Sequence, residues 1–477
     1  MNPYATAHEL LDDLKAKRVS ARELLDAHVA RSDKLGKTLN AVIETDFSRA
    51  QSTAAAIDEA RAKGKPLGAL AGLPMTIKDG FDVESMPATA GNPALTGRPK
   101  ACADASVVAA ARHAGAVIWG KTNVPLMLGD FQSYNAIYGT TNNPYDVSRT
   151  PGGSSGGAAT ALASGITPLE IGSDIGGSLR HPANFCGVCA LKPTWGVLDL
   201  HGHVPPLPGA FFETDLGVVG PMARNSEDLK LLWGVLRGTP QAVRRDVRGK
   251  RVAVWDEEPG FPLSAEVRDG VVRAADVLKA AGAIVERTKP DINGGTLMEM
   301  YTALLVAVIS VDLPDAMFEG FEALREEDRK AVEAKGERAA TALYRLRATA
   351  SYREVMRAAI RRQAKKDVLA GFFRAGWDAI LMPISPVTAF KHLQEPGFNE
   401  RTLQVDGETV PYSTMLNWIA PATALHAPSL AVPAGRAPSG LPIGVQVMGP
   451  WNGEDRLFDF AAAIEDGLGG FSPPKLG

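Results

Sequence analysis

Cysteine is nearly missing from this chain: three in 477 residues, Cys102, Cys186 and Cys189. That scarcity excludes a disulfide framework and fits a reducing compartment. Cys186 and Cys189 form a Cys-Gly-Val-Cys spacing, but no second ligand pair accompanies it. They read as small buried hydrophobes rather than as a redox or metal pair. An excess of charge of one sign is also lacking. With 51 Lys and Arg against 54 Asp and Glu, the formal net charge is −3, which gives no electrostatic case for nucleic acid or an anionic membrane as a main partner. No apolar run approaches the length of a spanning helix, and Met1–Thr6 carries neither a basic nor an apolar leader region. The expectation is a cytoplasmic protein with no nucleic-acid or membrane partner and an oligomeric state left open.

What the chain has is glycine in clusters. Gly152-Gly153-Ser154 and Gly176-Gly177-Ser178 lie 24 residues apart, inside Thr150–Gly157 and Gly172–Arg180. Glycine costs stability in ordered backbone, so such clusters mark tight turns or close approach to a ligand. Two hydroxyls set in such backbone suggest serine-based covalent chemistry.

Around them, helix and strand patterns alternate. Residues 1–65 read as helices, with a capping box at Ser20-Ala21-Arg22-Glu23. Strands are expected at Leu73–Lys78, Ala116–Trp119, Leu169–Ile171, Arg251–Trp255, Ala283–Val285, Ala379–Met382, Ser429–Val432 and Ile443–Val447. Helices at Ala103–His113 and Ala158–Ser164 fall between them. This alternation predicts an α/β fold with one large central sheet and helices on both faces. An N-terminal helical segment (1–65) would pack on a main unit of residues 66–477. Residues 298–375, rich in Arg, Glu, Ala and Lys from 315 onward, would form a solvated helical excursion.

Several chemistries can be weighed against the two serines. Gly152–Gly156 matches the G-x-S-x-G elbow of α/β-hydrolases, but that motif needs an apolar strand before it. Asn142–Asp146 and Arg149–Pro151 form a loop instead. A phosphate-binding loop needs Gly-Lys-Ser/Thr, and Gly157 is followed by Ala158. Ser-x-x-Lys occurs only at Ser472–Lys475, in a Pro-rich tail. His201 and His203 lack an accompanying carboxylate cluster, so no metal is expected. His181 reads as structural, with a site-lining role open. The remaining base is a lysine.

These residues carry a resemblance. Gly153–Gly157, Gly172–Pro182, Pro74–Asp79 and Gly120–Asn123 lead into Gly187 with Leu191–Thr194, then Gly220–Arg224 and Gly440–Gly449. Together they identify the chain as a member of the amidase signature family of serine hydrolases, over nearly its whole length. The resemblance implies a mixed central sheet and no cofactor. It implies Ser178 as nucleophile, Ser154 as a relay serine after a cis peptide, and Lys78 as base. The backbone N–H groups of Ile175, Gly176, Gly177 and Ser178 would form the oxyanion hole, with Asp174 and Arg180 in support. Keeping a lysine neutral at pH 7 costs about 4–5 kcal/mol at its ordinary pKa, and burial lowers that cost. Activity should therefore rise toward alkaline pH.

For substrate, the family spans amides, aryl amides, carbamates and the glutamine of tRNA-dependent amidotransferases. Glutamine recognition wants an acid for the α-ammonium group, and Tyr412–Leu430 contains none. Leu126, Met127, Leu128 and Phe131, with Trp418 and Ile419, suggest a pocket for an uncharged, partly apolar amide, aryl amide or carbamate, or else core. The alternatives are a non-catalytic scaffold on the same fold and the glutamine-hydrolysing subunit.

Overall fold

The computed structural model describes residues 2–205, 213–241, 243–336 and 339–476. Its centre is an eight-stranded mixed sheet. From edge to edge the strands run Ile284–Arg287, Arg251–Val254, Ala379–Pro383, Pro442–Met448, Ser429–Arg436, Cys189–Lys192, Val218–Ala223 and Leu169–Asp174. The first three are parallel and every later neighbour is antiparallel.

Alternation along each strand shows that both faces are covered, because successive side chains point to opposite sides. Val252 and Val254 enter one apolar cluster, with Leu457 and Ile464 of the helix Glu454–Leu468. Ala253, between them, enters the other, with Phe185 and Tyr301. Ile380 and Met382 likewise oppose Leu381.

Two of these strands escape a periodicity reading. Val218–Ala223 contains Gly220-Pro221, which looks like turn punctuation, yet Pro221 pairs with Ile171 across the ladder. Gly220 is required there because the Leu191 carbonyl occupies the space of a side chain. Cys189–Lys192 is short and wholly buried, so it shows no alternation. Cys186 and Cys189 are buried free thiols whose pKa values burial pushes up.

A second sheet pairs Val117–Thr122 antiparallel with Val42–Thr45 and parallel with Pro74–Lys78. Its face meets Leu169–Asp174, the edge of the main sheet, through Thr76 and Lys78. The N-terminal helices Ala7–Lys15 and Ala21–Leu39 each open on a capping box, Thr6 with Glu9 and Ser20 with Glu23. The excursion is a series of helices from Gly294–Ile309 to Tyr352–Arg374. No helix among the described residues is long and apolar enough to cross a membrane.

Candidate active site

Lys78 ends a strand whose five residues are all buried, so its side chain has no route to water and must find partners inside. Its Nζ lies 2.7 Å from Ser154 Oγ, 3.0 Å from Ser173 Oγ and 3.4 Å from the Ser173 carbonyl. Burial pulls the amine down to about 7, against the charges of Asp174 and then Glu170, which act to raise it.

The first glycine turn is clamped from several sides. The Gly153–Ser154 peptide is cis and Gly152 has φ 89°. A Cβ on Gly152 would sit 2.9 Å from the Pro182 backbone, and one on Gly153 would run into the carbonyl oxygens of Asp130 and Gln132. Ser133 Oγ donates to the Gly152 carbonyl and accepts from the Gly156 N–H, both at 3.0 Å.

The second turn is organised by Asp174. Its oxygens accept from Gly177 N–H at 2.9 Å and Leu179 N–H at 3.1 Å, and from Arg180 Nε and Nη2 at 3.0 Å each. Arg180 is tied in turn to the Ile419 carbonyl, Gln446 and Thr423. Burial pushes the Asp174 carboxyl up, but the charge and hydrogen bonds of Arg180, with Lys192, hold it well below the usual carboxylate range. A fully buried ion pair persists only with such complete hydrogen bonding.

Ser178 follows this turn and is 7% exposed. The Ser155 N–H donates to the Ser178 carbonyl at 3.2 Å, which couples the two turns. The expected set of four oxyanion donors is corrected here. The Gly177 N–H is committed to Asp174, whereas those of Ile175, Gly176 and Ser178 have no acceptor among the described residues. Leu416 Cδ2 lies 3.4 Å from where a Gly176 Cβ would be, and Tyr301 donates to the Ile175 carbonyl at 2.7 Å.

The six residues proposed for a substrate pocket separate. Phe131 packs against His181, Phe398 and Tyr412, with ring centroids 5.2–5.4 Å away. Met127 and Leu128 pack on Ala88, Ala90 and Val204, while Leu126 is 54% exposed. Trp418 and Ile419 do not line a cleft. Both are fully buried, the indole N–H of Trp418 donating to the Pro262 carbonyl and its ring standing edge-on to Phe261. His181 is buried beside Gly177, and burial followed by Arg180 lowers it to about 3, so it stays neutral. Ser173 and Glu170 were not singled out from the sequence. The signal available was a charged residue in an otherwise apolar strand.

Comparison with known proteins gives the family. The Amidase family model matches residues 23–458. The chain belongs to that family, the amidase signature enzymes, which act on C–N bonds. A curated relative from Salinispora arenicola (strain CNS-205), the A component of its glutamyl-tRNA(Gln) amidotransferase, is 32% identical over 99% of both chains. A solved bacterial aryl acylamidase of the family superposes with TM-score 0.79 at 25% identity, over 97% of this chain and 96% of its own. A structure described as a vestigial complex related to an s-triazine catabolic enzyme gives 0.80 at 26% identity, over 99% and 100%.

One expectation is overturned by these relatives: that nucleic acid plays no part. The curated relatives carry the name of a tRNA amidotransferase component. A net charge of −3 is an average over the chain and does not describe a local face or an assembly.

Proposed function

We propose that the chain hydrolyses an amide C–N bond through an acyl-enzyme on Ser178, with Lys78 as base and Ser154 as relay. The observation that carries this is the fully buried Lys78 amine 2.7 Å from Ser154 Oγ, with its pKa brought to about 7. At neutral pH a large share of that amine is neutral, so the cost of a neutral lysine nearly vanishes. Lys78 takes the Ser154 proton as Ser154 takes that of Ser178, and the Ser178 oxygen attacks the substrate carbonyl. The resulting oxyanion faces the N–H groups of Ile175, Gly176 and Ser178. The proton returns through Ser154 to the leaving nitrogen as the C–N bond breaks. Water, deprotonated along the same path, then cleaves the acyl ester and restores Ser178. Asp174 and Arg180 hold the turn rather than react.

Two substrate readings divide the support. The names of the relatives, over nearly the full length, favour glutamine, with the chain as the hydrolysing component of a tRNA-dependent amidotransferase. The lining of this site favours an uncharged, partly apolar amide, aryl amide or carbamate. Leu416 stands beside Gly176. The ion pair near Phe131 is saturated: Asp130 accepts from Arg401, Tyr134 and Tyr412, and Arg401 also donates to the carbonyls of Pro396 and Gln394. That pair has no free charge for glutamine's ammonium or carboxylate.

The test is kcat/KM on glutamine, primary amides, p-nitroanilides and aryl carbamates, with and without partner subunits and tRNA. Glutamine hydrolysis that depends on partners supports the first reading. A preference for apolar amides or carbamates by about tenfold or more supports the second. No turnover and no labelling of Ser178 by a fluorophosphonate would overturn both.

A further inference from the structure

Glu170 is a carboxyl group with no exposure to solvent, in a strand buried at every position. The proton relay makes no use of it. Its Oε1 accepts from Thr76 Oγ1 at 2.7 Å and its Oε2 from the Ile171 N–H at 3.0 Å. Thr76 stands two residues before Lys78, on the same face of its strand. Lys78 is paired in register with Thr122, so Thr122 shares that face. On the facing edge strand, the Glu170 carboxyl group accepts from Thr76 and the Ser173 hydroxyl accepts from Lys78. Glu170, Thr76, Thr122 and Lys78 therefore share one dry compartment between the two sheets.

We propose that Glu170 is a positioning residue that competes with Lys78 for the proton this compartment gives up near neutral pH. The proposal rests on Lys78 being the catalytic base. With both groups protonated, the compartment holds an ammonium and a carboxylic acid. Loss of one proton to solvent has two outcomes. Either Lys78 becomes a neutral amine beside a neutral acid, and is a base, or Glu170 becomes a carboxylate and leaves Lys78 an ammonium with nothing to accept. Only a second loss, giving amine and carboxylate, frees Lys78 from the latter form.

The physical terms keep the two groups in competition. Burial pushes Glu170 up to about 8, with Thr76, Thr122, the Ile171 N–H and Lys78 acting the other way. Facing Lys78 are Ser154, Ser173, Asp174 and Glu170, and its charge also acts on His203. Asp174 is committed to Arg180 as a permanent anion. Glu170 is thus the acid near Lys78 whose charge can change around neutral pH. Interacting groups of this kind lose their protons in two macroscopic steps that belong to the pair.

The test is the rate of fluorophosphonate labelling of Ser178, followed by intact mass from about pH 5 to about pH 10, on the wild type, Glu170→Gln and Thr76→Val. The wild type should give an acid limb broader than a single-proton curve. Glu170→Gln should follow a single-proton curve, with its midpoint lower by up to ~1 unit and the largest gain in rate just above neutrality. Thr76→Val keeps the acid but removes a hydrogen bond that favours its charge. It should move the limb the same way by less, and it decides the matter if the first variant fails to fold. Unchanged midpoints and shapes overturn the proposal. So does a uniform loss of rate at every pH, the mark of a structural role alone. A wild type that is never labelled at Ser178 would instead overturn the hydrolase reading on which the proposal stands.

Discussion

The two Gly-Gly-Ser turns share a sequence and differ in what surrounds them. At the first, every direction is occupied: Pro182 behind Gly152, two carbonyl oxygens over Gly153, and Lys78 against the Ser154 hydroxyl. At the second, Asp174 fixes the backbone from one side. The other side keeps N–H groups without acceptors among the described residues, and Leu416 Cδ2 stands 3.4 Å from where a Gly176 Cβ would be. A relay serine needs a fixed neighbour, whereas a nucleophile needs room for substrate. On the proposed roles, the same tripeptide would serve both, because glycine permits the closest packing at the first turn and leaves N–H groups without acceptors among the described residues at the second.

The largest effect should come from removing the hydroxyl at the open turn. Ser178→Ala is expected to lower kcat by about 10⁴-fold or more, read from initial rates on the best amide found. A variant within tenfold of wild type would mean the open turn does not hold the nucleophile. Next, the clamped and open turns should respond differently to one methyl group. Gly153→Ala has no space and should cost about 3 kcal/mol, seen as a lower melting temperature. Gly176→Ala should change stability by less than about 1 kcal/mol while lowering kcat/KM, because its methyl enters the site. Equal melting shifts would erase the distinction.

A smaller effect is the pH response. Lys78 acts as a base only when neutral, and its pKa is lowered to about 7, so kcat/KM should rise with pH through that value and then level. A rate flat across neutrality, with chemistry limiting, would remove Lys78 from the role. The smallest is specificity at the open turn. Leu416→Asp places an acid beside Gly176 and should shift kcat/KM about tenfold toward glutamine relative to an apolar amide. No shift would mean that Leu416 does not touch the acyl group.

Much of the fold was legible because its strands are apolar and its turns carry glycine. The strand ending at Lys78, the helix after Gly156-Gly157 and the late strands around 380, 430 and 445 fall where expected, within a few residues. The strand order was not, since pairing across hundreds of residues leaves no local trace. Gly220-Pro221 hid a strand because its glycine serves the approach of Leu191 rather than a turn. At the site, Lys78, Ser154 and Ser178 were visible through the motif, and the structure sets Lys78 against Ser154. Ser173 and Glu170 were passed over because their partners, Lys78 and Thr76, are nearly a hundred residues earlier. Trp418 and Ile419 read as pocket because apolar side chains near a motif look alike whether they line a cleft or fill a core. The indole bond to the Pro262 carbonyl distinguishes them only in three dimensions.

The most direct test of the account is where the acyl group lands. A slowly deacylating ester or carbamate, quenched in acid and mapped by peptide mass spectrometry, should leave its acyl mass on Ser178, with Ser154 unmodified. In Lys78→Ala, formation of that adduct should slow by about 10³-fold or more. An adduct on Ser154, or one that forms on Ser178 at the same rate without Lys78, would contradict the roles assigned to the two turns.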